Sequence, residues 1–278
     1  MTRLTGTPPA PARIWVLMAS AASTAVIFRR GPSRWTRLYL WNTRTDTITP
    51  GSWFAGRLYE WSSDLSPDGR HLVYLAHNAS RRRVQAAIEA FGDDAMWTWT
   101  AVCAPPWVKA LGLWSAGPDG GGLFTDNHTL VLNHPASHLA QQTRITPAGF
   151  AVRGLDGAEQ IHVLSTSLER TGWRVIQRPE RWYGSDEEDA FILHKQELEL
   201  RFIRSPQGGW KATYIGLGPA TWPGLEGASW ADFDQDGRLL MARHGCIFVA
   251  RGAKLQQLKD FNQDQPKRHV TQQPCSRS

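Results

Sequence analysis

The chain has 278 residues, of which 41% are hydrophobic and 20% charged, with a net charge of +6 and a pI near 9.5. This balance excludes disorder over most of the length and fits one compact domain. The lysines and arginines are spread along the chain, with one tight run at Arg81-Arg82-Arg83, so the concentrated basic stripe of a nucleic-acid binder is missing.

Residues 1–12 carry three prolines and read as a flexible N-terminal tail. Trp15 then leads to a strand at Ala25–Phe28, followed by strands at Arg37–Trp41 and Thr45–Thr49. The apolar stretch Ile14–Phe28 is broken by Ser20, Ser23 and Thr24 and is shorter than the roughly 18 residues needed to cross a bilayer. Trp61 leads through the turn Pro67-Asp68-Gly69 to a strand at His71–Ala76, with further strands at Trp97–Val102 and Trp107–Ala110. Trp114 opens a looser unit with strands at Thr129–Leu132, Gly149–Arg153 and Ile161–Leu164. After Trp173 come Ala190–Leu193, Leu198–Ile203 and Trp210–Ile215. After Trp230 come Leu239–Ala242, Cys246–Ala250 and Lys254–Leu258. Residues 263–278 are polar and read as a C-terminal tail.

Trp15, Trp61, Trp114, Trp173 and Trp230 recur at steps of 46, 53, 59 and 57 residues. A repeat of this length with four short strands per unit predicts an all-β protein, a β-propeller of five four-stranded blades over residues 13–262. The periodic rings are expected in the wedges between blades, where buried aromatic area stabilises most. The segments DLSPDGRHLVYLA and DFDQDGRLLMARHGCIFVAR resemble repeats of the TolB-like and WD40-like propeller superfamily, in which an Asp-Gly turn begins each blade. The WD40 Trp-Asp ending has its nearest approach in Leu40-Trp41-Asn42. The resemblance implies a fold and leaves function open, since propellers host binding, scaffolding and hydrolysis alike.

Insertions mark where the repeat is interrupted. Asn78–Met96 places Val84, Ala87, Ile88 and Phe91 at helical spacing, which predicts a short helix in the second blade. His134–Ala148 allows a helical turn at Ser137–Gln142, and Gly216–Ser229 presents Trp222. Propeller geometry puts all three on one face, so Arg81, Arg82, Arg83 and Trp222 are the candidate partner-binding residues. The acidic stretch Arg178–Asp189 reads as a solvated hairpin end.

Several chemical motifs are present only in part. Asp232-x-Asp234-x-Asp236-Gly237 begins like a calcium loop, but Leu240 and Arg243 stand where the closing ligands belong. His128, His134 and His138 near Asp126 lack a metal-binding spacing, and no nucleophile elbow or phosphate-cradling glycine loop occurs. Asp64 and Asp232 are candidate carboxylates near inner strands for glycosidase-like chemistry. The expectation is therefore a non-enzymatic interaction or scaffold module with a protein partner and no cofactor, metal, nucleic acid or membrane. The alternative is a propeller hydrolase acting on a polar substrate. Cys103, Cys246 and Cys275 are odd in number and widely spaced, which points to a reducing, cytoplasmic setting. Ala19–Ala22 would serve as a cleavage region if the chain were exported, at the cost of Trp15 and the first inner strand.

Overall fold

The computed structural model describes residues 10–31, 34–92, 97–117, 120–155, 160–179, 189–205, 209–218, 222, 224–252 and 254–266. The order begins with β1 (Arg13–Met18), β2 (Thr24–Arg30), β3 (Trp35–Asn42) and β4 (Thr47–Ala55). Next come β5 (Arg57–Leu65), β6 (Leu72–His77), α1 (Arg81–Phe91), β7 (Thr98–Cys103) and β8 (Ala110–Ser115). The third segment holds β9 (Gly122–Phe124), β10 (Thr129–Leu132), α2 (Leu139–Gln142), β11 (Thr143–Ile145), β12 (Ala151–Gly154) and α3 (Gln160–Arg170). It is followed by β13 (Arg174–Gln177), β14 (Phe191–Lys195), β15 (Leu198–Arg204) and β16 (Trp210–Gly216). The last segment is β17 (Ala228–Phe233), β18 (Leu239–Arg243), β19 (Cys246–Arg251) and β20 (Lys254–Asp260).

The strands form five sheets, ordered β1-β2-β3-β4, β11-β8-β7-β6-β5, β12-β10-β9, β13-β14-β15-β16 and β17-β18-β19-β20. β1 and β2 pair from Arg13–Arg30 to Met18–Ala25, so the apolar stretch Ile14–Phe28 is a hairpin. Val26, Ile27 and Phe28 are buried in succession, as expected where both faces of a strand meet neighbouring layers. The first sheet packs on the second through β1 and β5, and the second on the third through β5 and β9. α3 lies against β5, β9 and β13, and β16 against β17. β17 packs back on β1, and the Ser229 hydroxyl donates to the Ile14 carbonyl at 2.9 Å. Among the described residues, the strand contents are four, five, three, four and four, not four throughout.

Of the five periodic tryptophans, Trp15, Trp114, Trp173 and Trp230 are buried. Trp61 is half-buried, edge-on to Trp15 at 5.8 Å and to Phe202 at 5.3 Å. Trp114 departs from the expected position. It lies in β8, the fourth strand of the second sheet, opposite Thr100 of β7, and packs with Val73, Val102, Phe124, Leu130 and Leu132 in a core of its own. Ile161–Leu164 is not a strand but part of α3, where Val163, Leu164 and Ser167 fall on the buried side. A four-residue apolar run is ambiguous between helix and strand, and here packing against β5 decides. β12 pairs with β10 in parallel, which a hairpin repeat does not anticipate.

The expected helix in 78–96 is α1, and the helical turn is Ala136–His138 continuing into α2. Ile88 of α1 remains 47% exposed, so the helix does not seal its apolar side against the sheets. The described ends of the outermost segments are held: the Ala12 N–H donates to Asn262 Oδ1, and Tyr39 donates to Asp264. Residues 1–9 and 267–278, and with them Cys275, lie outside the described residues, as do residues 180–188 of the acidic stretch. Cys103 and Cys246 are unpaired and buried. Among the described residues, no helix is long and apolar enough to cross a membrane.

His134 illustrates how one buried polar side chain is satisfied. The Gly121 N–H donates to Thr100 Oγ1 at 2.8 Å, leaving the hydroxyl proton for His134 Nε2, also at 2.8 Å. Nδ1–H then donates to Gln142 Oε1 at 2.7 Å, which fixes a neutral ring. Burial lowers the His134 pKa, only partly opposed by Gln142. The folded pKa lies below the unfolded value of 6.5, so the stabilisation is complete above that pH and is lost as pH falls towards the folded pKa. The unfolding midpoint is expected to drop between pH 7 and 5, and His134→Gln should flatten that slope in a urea titration series. An unchanged slope would assign the pH response to other groups.

Candidate recognition face

A cavity of about 820 Å³ opens between the first and second sheets. Its wall is built from strand ends: Arg13 starts β1, Arg30 ends β2, Trp35 starts β3, Arg57 starts β5 and His77 ends β6. Arg34 adds a fourth guanidinium, and Asn78, Ala79 and Ser80 bring the start of α1 to the rim. Among the described residues, no aspartate or glutamate lines it. A smaller cavity of about 210 Å³ shares Arg13 and Arg30 and runs inward past Trp15, Trp61, Trp210 and Ser229. Glu60, the one carboxylate lining it among the described residues, stands 3.6 Å from Arg30.

The arginines have defined environments. Arg57 stacks on the Tyr59 ring at 4.3 Å, which fixes the direction of its planar group. Burial lowers its pKa first, then repulsion from Arg30, with Glu60 opposing and Arg13 adding to the effect. α1 begins without compensation, since Ser80 makes no side-chain cap and the first turn carries no acid. The exposed side chains of Arg81 and Arg82 instead add positive charge at the positive end of the helix dipole.

The other candidate residues fall elsewhere. The Arg83 backbone belongs to the first turn of α1. Trp222 does not line the cavity: it is half-buried, with its ring edge-on to Phe233 at 6.2 Å, at the end of β17 remote from Ser229. The structure thus places exposed Arg81 and Arg82 directly after Ser80, which lines the cavity, and leaves Trp222 apart. The strand-end arginines Arg13, Arg30 and Arg57 were not singled out from sequence. Their signal is visible there only once the strand register is known, because Arg13 and Arg30 become partners through the β1–β2 pairing and Arg57 joins them from the second sheet.

The buried carboxylates are committed within the fold. Asp64 Oδ1 accepts from Ser167 Oγ and Arg170 Nη2, each at 2.6 Å, and Oδ2 from the Phe124 N–H at 2.7 Å. Asp232 Oδ1 accepts from Lys195 Nζ at 2.6 Å and Oδ2 from Trp173 Nε1 at 3.2 Å. Burial pushes the Asp232 carboxyl above the usual carboxylate range, against the pull of Lys195. Asp234 is paired with Arg238 Nε at 2.7 Å, and Arg238 reaches on to Asp46 at 2.9 Å. The partial calcium motif is therefore a turn whose first two carboxylates face two different cations. Asp126 accepts from the His128 and Thr129 N–H groups, and His128 lies against Phe150. Among the described residues, no group of three or more potential metal ligands converges.

No protein-family model matches the chain, and no curated protein matches it. Among solved structures, an uncharacterized Listeria monocytogenes protein aligns at 9% identity and a TM-score of 0.32, over 95% of this chain and 88% of that one. The β-propeller domain of the Trilobed protease from Pyrococcus furiosus aligns at 12% identity and 0.38, over 90% and 82%. Pyrococcus horikoshii acylaminoacyl peptidase aligns at 12% and 0.39, over 90% of this chain and 45% of its own. Scores this low carry no functional argument.

Proposed function

We propose that the protein is a non-enzymatic recognition module on a five-bladed β-propeller, and that it binds a protein partner with the face bearing α1 and the arginine-lined cavity. One observation carries the reading: Arg81, Arg82 and Ile88 are exposed on α1, and Ser80, which precedes that helix, lines a concave wall with four arginines. Exposed apolar and arginine side chains around a concavity are the elements from which interface hot spots are built. The cyclic order of the sheets, with the fifth packed on the first, supports the propeller. A hydrolase acting through Asp64 and Asp232 is less well supported, because both carboxylates are occupied by internal donors.

The test is site-specific cross-linking in the native host. A photoreactive residue at Gln85 or Ile88 is expected to capture a partner that the same group at Thr45, on the exposed β3–β4 turn, does not. Shortening Asn78–Met96 to a tight turn should then abolish binding of that partner and leave the melting temperature within about 2 °C, since surface changes rarely exceed about 0.5 kcal/mol. Equal capture from Thr45, or undiminished binding by the shortened chain, would remove this face from consideration.

A further inference from the structure

The charge in the 820 Å³ cavity is out of balance. Among the described residues, no carboxylate pairs with Arg13, Arg34 or Arg57, and Glu60 is engaged by Arg30. Arg13, Arg34 and Arg57 are exposed residues, and like charges gathered on one concave wall repel unless a counter-charge is present. The start of α1 adds a second imbalance, with uncapped Ser80 and two exposed arginines where an anion would be favoured.

We propose that this cavity binds a phosphate monoester dianion, held by Arg13, Arg30, Arg34 and Arg57 against the start of α1. The inference deepens the recognition reading above and rests on it, because it names the chemistry that the face selects. A dianion matches three guanidinium groups without carboxylate partners better than a single carboxylate does, and its three oxygens accept their planar forks. The fixed Arg57 supplies one such fork, already oriented by Tyr59. The volume exceeds that of phosphate alone, and Trp35, Ala55 and Ala79 offer an apolar wall for the body that carries it. That body has two sources, a free phosphorylated small molecule or a phosphorylated side chain on a protein partner.

Calorimetric titration of the full chain at fixed ionic strength, with AMP and with a phosphoserine hexapeptide, tests the proposal. Either probe is expected to bind while its unphosphorylated counterpart does not, and the tighter of the two identifies the source. Arg57→Gln should weaken binding about tenfold, and the Arg13→Gln/Arg57→Gln pair by at least tenfold more, as expected for the loss of charge-assisted hydrogen bonds. Arg251→Gln, on an exposed arginine outside the cavity, should leave the affinity unchanged. If the double variant does not fold, Arg34→Gln, at a residue that makes no ring stacking or ion pair among the described residues, carries the test with an expected loss of about tenfold. No binding of either probe at millimolar concentration, or equal binding by wild type and variants, overturns the site. Because no partner is needed, that failure alongside α1-dependent cross-linking would spare the recognition reading. Phosphate binding with α1-independent cross-linking would overturn the protein-docking reading alone.

Discussion

Arg170→Met is expected to cost about 3–5 kcal/mol of folding free energy, because it leaves Asp64 buried without its cation. The Asp64 side chain is 1% exposed and that of Arg170 is 19%, so little water reaches the pair. Arg170 also donates to the carbonyls of Leu65 and Phe124, which ties α3 to both β5 and β9. Asp64→Asn in the Arg170→Met background should recover part of the loss, since a neutral amide needs no counter-charge. Urea unfolding of the two single variants and the double variant measures the coupling. A cost below about 1 kcal/mol for Arg170→Met would mean that the pair behaves as a surface ion pair.

The second large effect is expected at Trp114. Truncation to alanine should cost about 3–5 kcal/mol, the range for deleting a buried aromatic ring. The ring belongs to the core that the second and third sheets share, not to the larger core that joins the remaining elements. The loss should therefore be local as well as large. Hydrogen exchange is expected to speed up in β9, β10 and β12, with β1–β3 and β17–β19 protected until global unfolding. A uniform loss of protection across all five sheets would show that the two cores unfold as one.

Trp114 also shows where the sequence is informative and where it is not. Segments whose strands alternate with tight Asp-Gly turns gave their strands directly, as with His71–Ala76 against β6 and Leu239–Ala242 against β18. In the third segment the sheet is completed by a parallel strand and α3, and one strand, β11, is added to the edge of the second sheet. None of these choices is local, so periodicity through Trp114 pointed to an inner strand where packing built an outer one. Of the candidate site, Arg81 and Arg82 were legible because they form a run on an inserted helix. Arg13, Arg30 and Arg57 were not, since the β1–β2 register pairs the first two and only tertiary packing brings the start of β5 to the same wall.

The way the fifth sheet meets the first has a consequence for the order of folding. Three of the five sheets are made from contiguous stretches of chain and the other two exchange only β11, whereas the seam joins residues 215 apart at Ser229–Ile14 and 250 apart at Ala12–Asn262. Among the described residues, no strand crosses that seam, and side chains such as Arg238, reaching Asp46, do the joining. Hairpins form within microseconds, while contacts between distant parts of a chain pay a large closure entropy before they return any stability. The seam is therefore the late event: a nearly complete, open chain of sheets forms first, and its lifetime before closure sets how long the apolar edges of β1 and β17 stand uncovered.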